Sequence, residues 1–102
     1  MTLTKMTLVG LVALGAAQVC AEEPAKLAQQ KGCLACHQVD KKVVGPSYKD
    51  VAKKYADQAG AAEKLAKAIQ NGGVGVWGQI PMPKNNVTPA EAQQLATWVL
   101  AQ

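Results

Sequence analysis

From residue 22 onward the apolar positions fall into four separated stretches at helical spacing, and none shows the alternate-residue spacing of a half-buried strand. Pro24 is placed near a helix start, with Leu27 and Ala28 on its inner face before Gly32. A second helix follows Gly45-Pro46-Ser47, where Tyr48, Val51, Ala52 and Tyr55 recur at i, i+3, i+4 and i+7. A third runs over 61–70 with Leu65, Ala68 and Ile69 inward and Glu63 and Lys67 spaced for an i,i+4 pair. It stops at Asn71-Gly72-Gly73, where the backbone turns left-handed at little cost. The last helix has the clearest start: Thr88 as N-cap, Pro89 at the first helical position and Glu91 completing a capping box, with Ala92, Leu95, Trp98 and Val99 inward. The pattern predicts an all-α domain of about four short helices.

Two segments lie outside this periodicity. Residues 1–21 carry a single charge at Lys5, a short apolar run from Leu8 to Ala17 and small residues around Val19-Cys20-Ala21, the layout of a secretory signal cut after Ala21. The run is short for a membrane span and Glu22 and Glu23 follow it, so a retained anchor fits less well. A lipid anchor on Cys20 is also disfavoured by Gln18-Val19 before it. The domain is then 22–102, exported to a periplasm-like compartment. The second segment, Gly72 to Val87, is long for so small a domain, and connections of this length are usually functional or disordered.

Composition sharpens the picture. A domain of roughly 80 residues sits where an apolar core alone is marginal and a staple or cofactor is usually needed. The chain has no Phe, so a large flat prosthetic group could fill the space that aromatic side chains otherwise fill. Its net charge of +4 falls by one when Lys5 leaves with the signal. With no basic and aromatic platform, nucleic-acid binding is excluded as a function class.

The chemistry concentrates at Cys33-Leu34-Ala35-Cys36-His37, a C-x-x-C-H sequence that reads as a c-type haem attachment site. Two thiols about a helical turn apart can add across the two vinyl groups on one porphyrin edge, which puts His37 beneath the iron. Three other readings compete. A thioredoxin-like pair needs a preceding strand that is absent here. A zinc site needs further Cys or His ligands, and none follows His37. A Cys33–Cys36 disulfide would close a loop too short to remove much unfolded-state entropy. For the second axial position the candidates are Met82, a Lys, or an open or water-filled site. Met82 is the only Met beyond the signal, and Pro81 and Pro83 fix its direction; the competing role is a core gap-filler.

Taken in order, Cys33-x-x-Cys36-His37, Val44-Gly45-Pro46-Ser47-Tyr48, Gly75-Val76-Trp77-Gly78, Ile80-Pro81-Met82-Pro83 and Ala96-Thr97-Trp98-Val99-Leu100 resemble the small bacterial class I cytochromes c, the cytochrome c-551/c-552 group. The resemblance spans the whole of 22–102. It implies the class I cytochrome c fold around one covalent haem c, with Cys33 and Cys36 as thioether anchors and His37 and Met82 as axial iron ligands. It further implies that the Pro46 carbonyl accepts the second ring N–H of His37, that Trp77 directs its indole N–H to a haem propionate, and that Asn85 hydrogen-bonds near the Met82 sulfur. The last helix is expected to cross the first, with Leu95 and Trp98 near Leu27 and Gly32. Two positions depart from relatives: Lys84 replaces a frequent second Pro, and Ala68 stands where some carry an Arg that reaches a propionate.

Two strong-field axial ligands leave O₂ or peroxide no easy place to bind, which favours outer-sphere electron transfer over catalysis. A soft thioether and a dry pocket favour Fe(II) and raise the potential. The expected function is a soluble, monomeric periplasmic one-electron carrier, not an enzyme. Its expected donor is a quinol-oxidising complex and its acceptor a nitrite reductase, oxidase or peroxidase. Lys31, Lys41, Lys42 and Lys84 flank the haem-binding segments and would steer the carrier to acidic patches on such partners, or serve only as solubilising charges. The alternatives in other classes are a haem enzyme or gas sensor with an open distal site, and a thiol–disulfide oxidoreductase without haem.

Overall fold

The structure, a computed structural model, describes Gly10 and residues 23–102; the expected signal segment lies outside the described residues apart from Gly10. Four helices follow in chain order: α1 (Pro24–Gln30), α2 (Tyr48–Tyr55), α3 (Ala61–Asn71) and α4 (Pro89–Leu100). A 3₁₀ turn over Cys33–Ala35 comes between α1 and α2, and among the described residues there is no strand beyond two isolated bridges. This is the all-α arrangement that the periodicity predicts.

Local chemistry sets the helix ends. Pro24 opens α1, and Gly32, at φ 77°, turns the chain out of it after two turns. Ser47 caps α2 by accepting from the Asp50 N–H at 3.1 Å, while Asp50 in the first turn and Lys53 and Lys54 in the last match the helix dipole. At α4 the capping box closes in both directions: Glu91 N–H donates to Thr88 Oγ1 (3.1 Å) and Thr88 N–H to Glu91 Oε1 (2.9 Å).

α4 is the hub, packing against α1, α2 and α3. Leu27 and Ala28 of α1 meet Leu95 of α4, with Trp98 and Cys33 packed alongside, so the last helix packs on the first. Full burial of side chains such as Leu27 and Leu95 stabilises by about 1.5–3 kcal/mol each. A second cluster joins Tyr48 and Val51 of α2, Leu65 and Ala66 of α3, and Ala92, Ala96 and Val99 of α4.

Three details differ from the periodic reading. Ala66 and Ala96 are buried in the core, because small residues at these positions let α3 and α4 approach closely. Ala68 and Ile69, expected inward, are only half-buried: both line a cleft, and Ile69 also packs against the two core clusters. Glu63 and Lys67 do not pair. The ion pairs among the described residues are Lys31–Glu91 (3.8 Å), which links the end of α1 to the start of α4, and Lys49–Asp40 (2.7 Å).

Candidate functional site

The turn after α1 gathers the thiols and the imidazole. With Gly32 left-handed, the Cys36 and His37 N–H groups both donate to Cys33 O, at 3.2 and 2.9 Å, so Cys33, Cys36 and His37 share one tight turn. The chain then leaves and returns. Gly45 N–H donates to Cys36 O (2.8 Å), Tyr48 N–H to Gln38 O (2.9 Å) and Lys49 N–H to Val39 O (3.1 Å), which straps residues 37–49 into a compact excursion.

That return brings Pro46 to the His37 ring. His37 Nδ1 lies 2.8 Å from Pro46 O. A carbonyl only accepts, so Nδ1 carries the proton and Nε2 keeps its lone pair for a metal. The Tyr48 ring stacks on the imidazole at 5.2 Å and 22°, and Trp98 meets Tyr48 edge-on at 5.2 Å. Gly45 adds a close backbone approach: a Cβ there would lie 2.8 Å from His37 Nδ1 and 3.0 Å from Nε2, closer than packed atoms tolerate. Burial pushes the Tyr48 hydroxyl far above its ordinary pKa, with the neighbouring Cys33 thiol adding to the shift, so it stays a neutral phenol. Burial likewise raises Cys33.

Met82 is held by a separate device. Gly73 and Met82 form a two-way bridge, with Gly73 N–H donating to Met82 O (3.0 Å) and Met82 N–H to Gly73 O (2.8 Å). Gly72, at φ 74°, lies so close that a Cβ on it would meet Met82 O and come within 2.8 Å of Lys84 N. The Asn85 carboxamide makes its hydrogen bonds to backbone carbonyls. Its Nδ2 donates to Ile69 O at 2.9 Å and to Pro83 O at 3.4 Å, and its backbone N–H also donates to Ile69 O, so Asn85 ties the Met82 loop to α3. Nothing in the residue spacing points to Gly72 as more than a helix stop; its contact with residue 82 exists only once the loop is folded back.

These pieces line one cleft of about 730 Å³. Cys33, Cys36, His37, Pro46, Trp77 and Met82 all contribute to its wall, and so do Leu65, Ala68, Ile69 and Val99. Around it stand large apolar side chains in contact with solvent, Val74 at 61% and Ile80 at 69% exposure, together with Val43, Val44, Val76 and Trp77. An apolar rim of this extent on a small domain marks a binding site. The chemistry of the donor set agrees: two thiols on one turn, one imidazole with a free nitrogen and one thioether, around an apolar slot, suit a covalently attached iron porphyrin.

Comparison with known proteins points the same way. The cytochrome c family model matches residues 21–102. The chain is 61% identical to cytochrome c-551 of Pseudomonas aeruginosa over 82 residues, covering 80% of this chain and 79% of that one. It is 53% identical to cytochrome c-552 of Hydrogenobacter thermophilus over 97 residues, covering 95% and 96%. Its fold matches the crystal structure of wild-type Nitrosomonas europaea cytochrome c552 with a TM-score of 0.74 and 58% identity, over 76% of this chain and 96% of that one. The chain belongs to the cytochrome c family, as a small class I member carrying one covalent haem c and acting as an electron carrier.

Proposed function

We propose that this protein is a periplasmic one-electron carrier whose haem is anchored by Cys33 and Cys36 and ligated by His37 and Met82. The haem supplies an Fe(III)/Fe(II) couple. The observation that carries the reading is the His37 Nδ1 to Pro46 O hydrogen bond in a cleft that Cys33, Cys36 and Met82 also line. Pro46 holds the ring by its proton, Tyr48 stacks on it, Gly45 approaches it closely, and Nε2 is left as the ligating nitrogen. Met82 offers its sulfur from a loop held by the Gly73 bridge and the Asn85 tie to Ile69. Trp77, on the cleft wall, directs its indole N–H to a propionate.

Such a site is built to hold both ligands through a change of iron charge, so little reorganisation opposes transfer. Apolar walls exclude water and disfavour the more charged oxidised state, and the thioether adds to that bias. Ligation by both His37 and Met82 would leave oxygen no free place on the iron, which favours a carrier over an oxygen-binding enzyme. Among the described residues no helix is long and apolar enough to cross a membrane. Residues 1–21 act as the signal, and the carrier works between a quinol-oxidising donor and a terminal reductase, oxidase or peroxidase. Lys42 on the cleft and Lys41 and Lys84 close to it in sequence serve brief docking to acidic patches.

The test is the spectrum of the purified periplasmic protein beside that of Met82→Ala. Wild type shows the methionine–iron charge-transfer band at the red end when oxidised. The variant keeps covalent haem, loses that band, and its midpoint falls by more than about 59 mV, the one-electron equivalent of a tenfold change in equilibrium constant. An unchanged low-spin spectrum and potential in the variant, with no substitute ligand, would remove Met82 from the iron.

A further inference from the structure

Lys54 departs from the pairing that its helix offers. On α2 it follows Asp50 by four residues, the favourable order for an acid–base pair on a helix face. No such pair forms: Lys54 is absent from the ion pairs among the described residues. Its Nζ lies instead 5.0 Å from the centroid of the Trp77 ring, well inside the range at which an ammonium is attracted to an indole face.

The partner matters because of where it sits. Trp77 lies between Gly75 and Gly78, both at positive φ, in the stretch joining α3 to α4. The backbone ties in that part of the stretch, Gly75 N–H to Gly78 O and Gly73 to Met82, run within the loop itself. Asn85 ties its far end to α3. The cation–π contact is the link that runs from the indole to α2. Trp77 remains 41% exposed, so its ring is only partly held by packing.

We propose that Lys54 is a positioning residue for the haem: seated on the Trp77 face, its ammonium fixes the indole on the cleft wall and lays a positive charge beside the haem carboxylates. The inference rests on the reading of Trp77 as the propionate donor. A fixed cation at that end neutralises carboxylate charge that would otherwise stabilise Fe(III), and so favours the reduced state. The chain has no Arg, so only Lys side chains can supply such a charge.

The experiment compares holo Lys54→Met, Lys54→Arg and Trp77→Phe by midpoint potential and by hydrogen exchange of the Trp77 indole N–H. Met keeps most of the stem and removes the charge. Lys54→Met is expected to shift the midpoint negative and to speed indole N–H exchange about two- to fivefold, the factor that the strength of an exposed cation–π contact implies. Lys54→Arg is expected to restore both. Wild-type exchange and potential in Lys54→Met overturn the inference, as does a failure of Arg to rescue. Trp77→Phe tests the underlying reading separately: it lowers the potential if the indole donates to a propionate and leaves it unchanged if that reading fails, whatever Lys54→Met does.

Discussion

The carbonyl of Pro46 and Nδ1 of His37 are 2.8 Å apart, although nine residues separate them in the chain. The contact exists because residues 37–45 fold out and back, returning on the Gly45 N–H to Cys36 O hydrogen bond. One hydrogen bond to a backbone carbonyl thus orients the imidazole and leaves Nε2 as its free nitrogen.

Gly45 should be intolerant of any side chain. Its backbone leaves no room for a Cβ beside His37 Nδ1 and Nε2, so Gly45→Ala must displace either the ring or the strap. An overpacked site of this kind typically costs about 1–3 kcal/mol. Guanidinium unfolding of the oxidised holoprotein measures the loss. A variant as stable as wild type with an unchanged haem spectrum would show that the strap yields freely.

Gly72→Ala tests the loop on the Met82 side. The substitution meets two obstacles, a φ of 74° and the backbone of residues 82–84 within van der Waals distance. The expected outcome is a lower Tm together with a weakened charge-transfer band, because the displaced loop segment carries Met82. Loss of stability with an intact band would confine the role of Gly72 to ending α3.

Acid should loosen the start of α4. The Glu91 carboxyl is held below its ordinary 4.5, first by the hydrogen bond with the Thr88 backbone and then by Lys31 nearby. A lowered folded value means that its contribution is fully present above about 4.5 and is lost as pH falls through the folded value. Stability measured from pH 6 down to 2 should therefore fall less steeply below 4.5 in Glu91→Gln than in wild type. Equal slopes would place the acid sensitivity elsewhere. Thr88→Ala, which removes the other half of the box, should cost about 1 kcal/mol at neutral pH.

The sequence was most legible where the cause is local. Pro24, Ser47, Thr88 and Glu91 set helix starts within a turn of themselves, so their roles can be read along the chain and the structure repeats them. Cys33, Cys36 and His37 are legible for the same reason: their spacing is their geometry. Burial was less legible. Ala68 and Ile69 match the inward period of α3, yet the period does not show that both also line a cleft and stay half-buried. Asn85 is a residue of several possible partners, and only the folded loop selects Ile69 O.

By itself the sequence determined four helices, a haem attachment turn and a proline-framed methionine, because each rests on residues within a few positions of one another. The tertiary structure decided the rest: that Pro46 reaches His37, that Gly72 presses on the Met82 loop, and that Lys54 meets Trp77 rather than Asp50. The latter two join segments about ten and twenty-three residues apart, and Pro46 returns to His37 by a strap, so no local preference encodes these contacts. They form when α1, α2 and α3 pack on α4 and the loops between them are drawn around one apolar cleft.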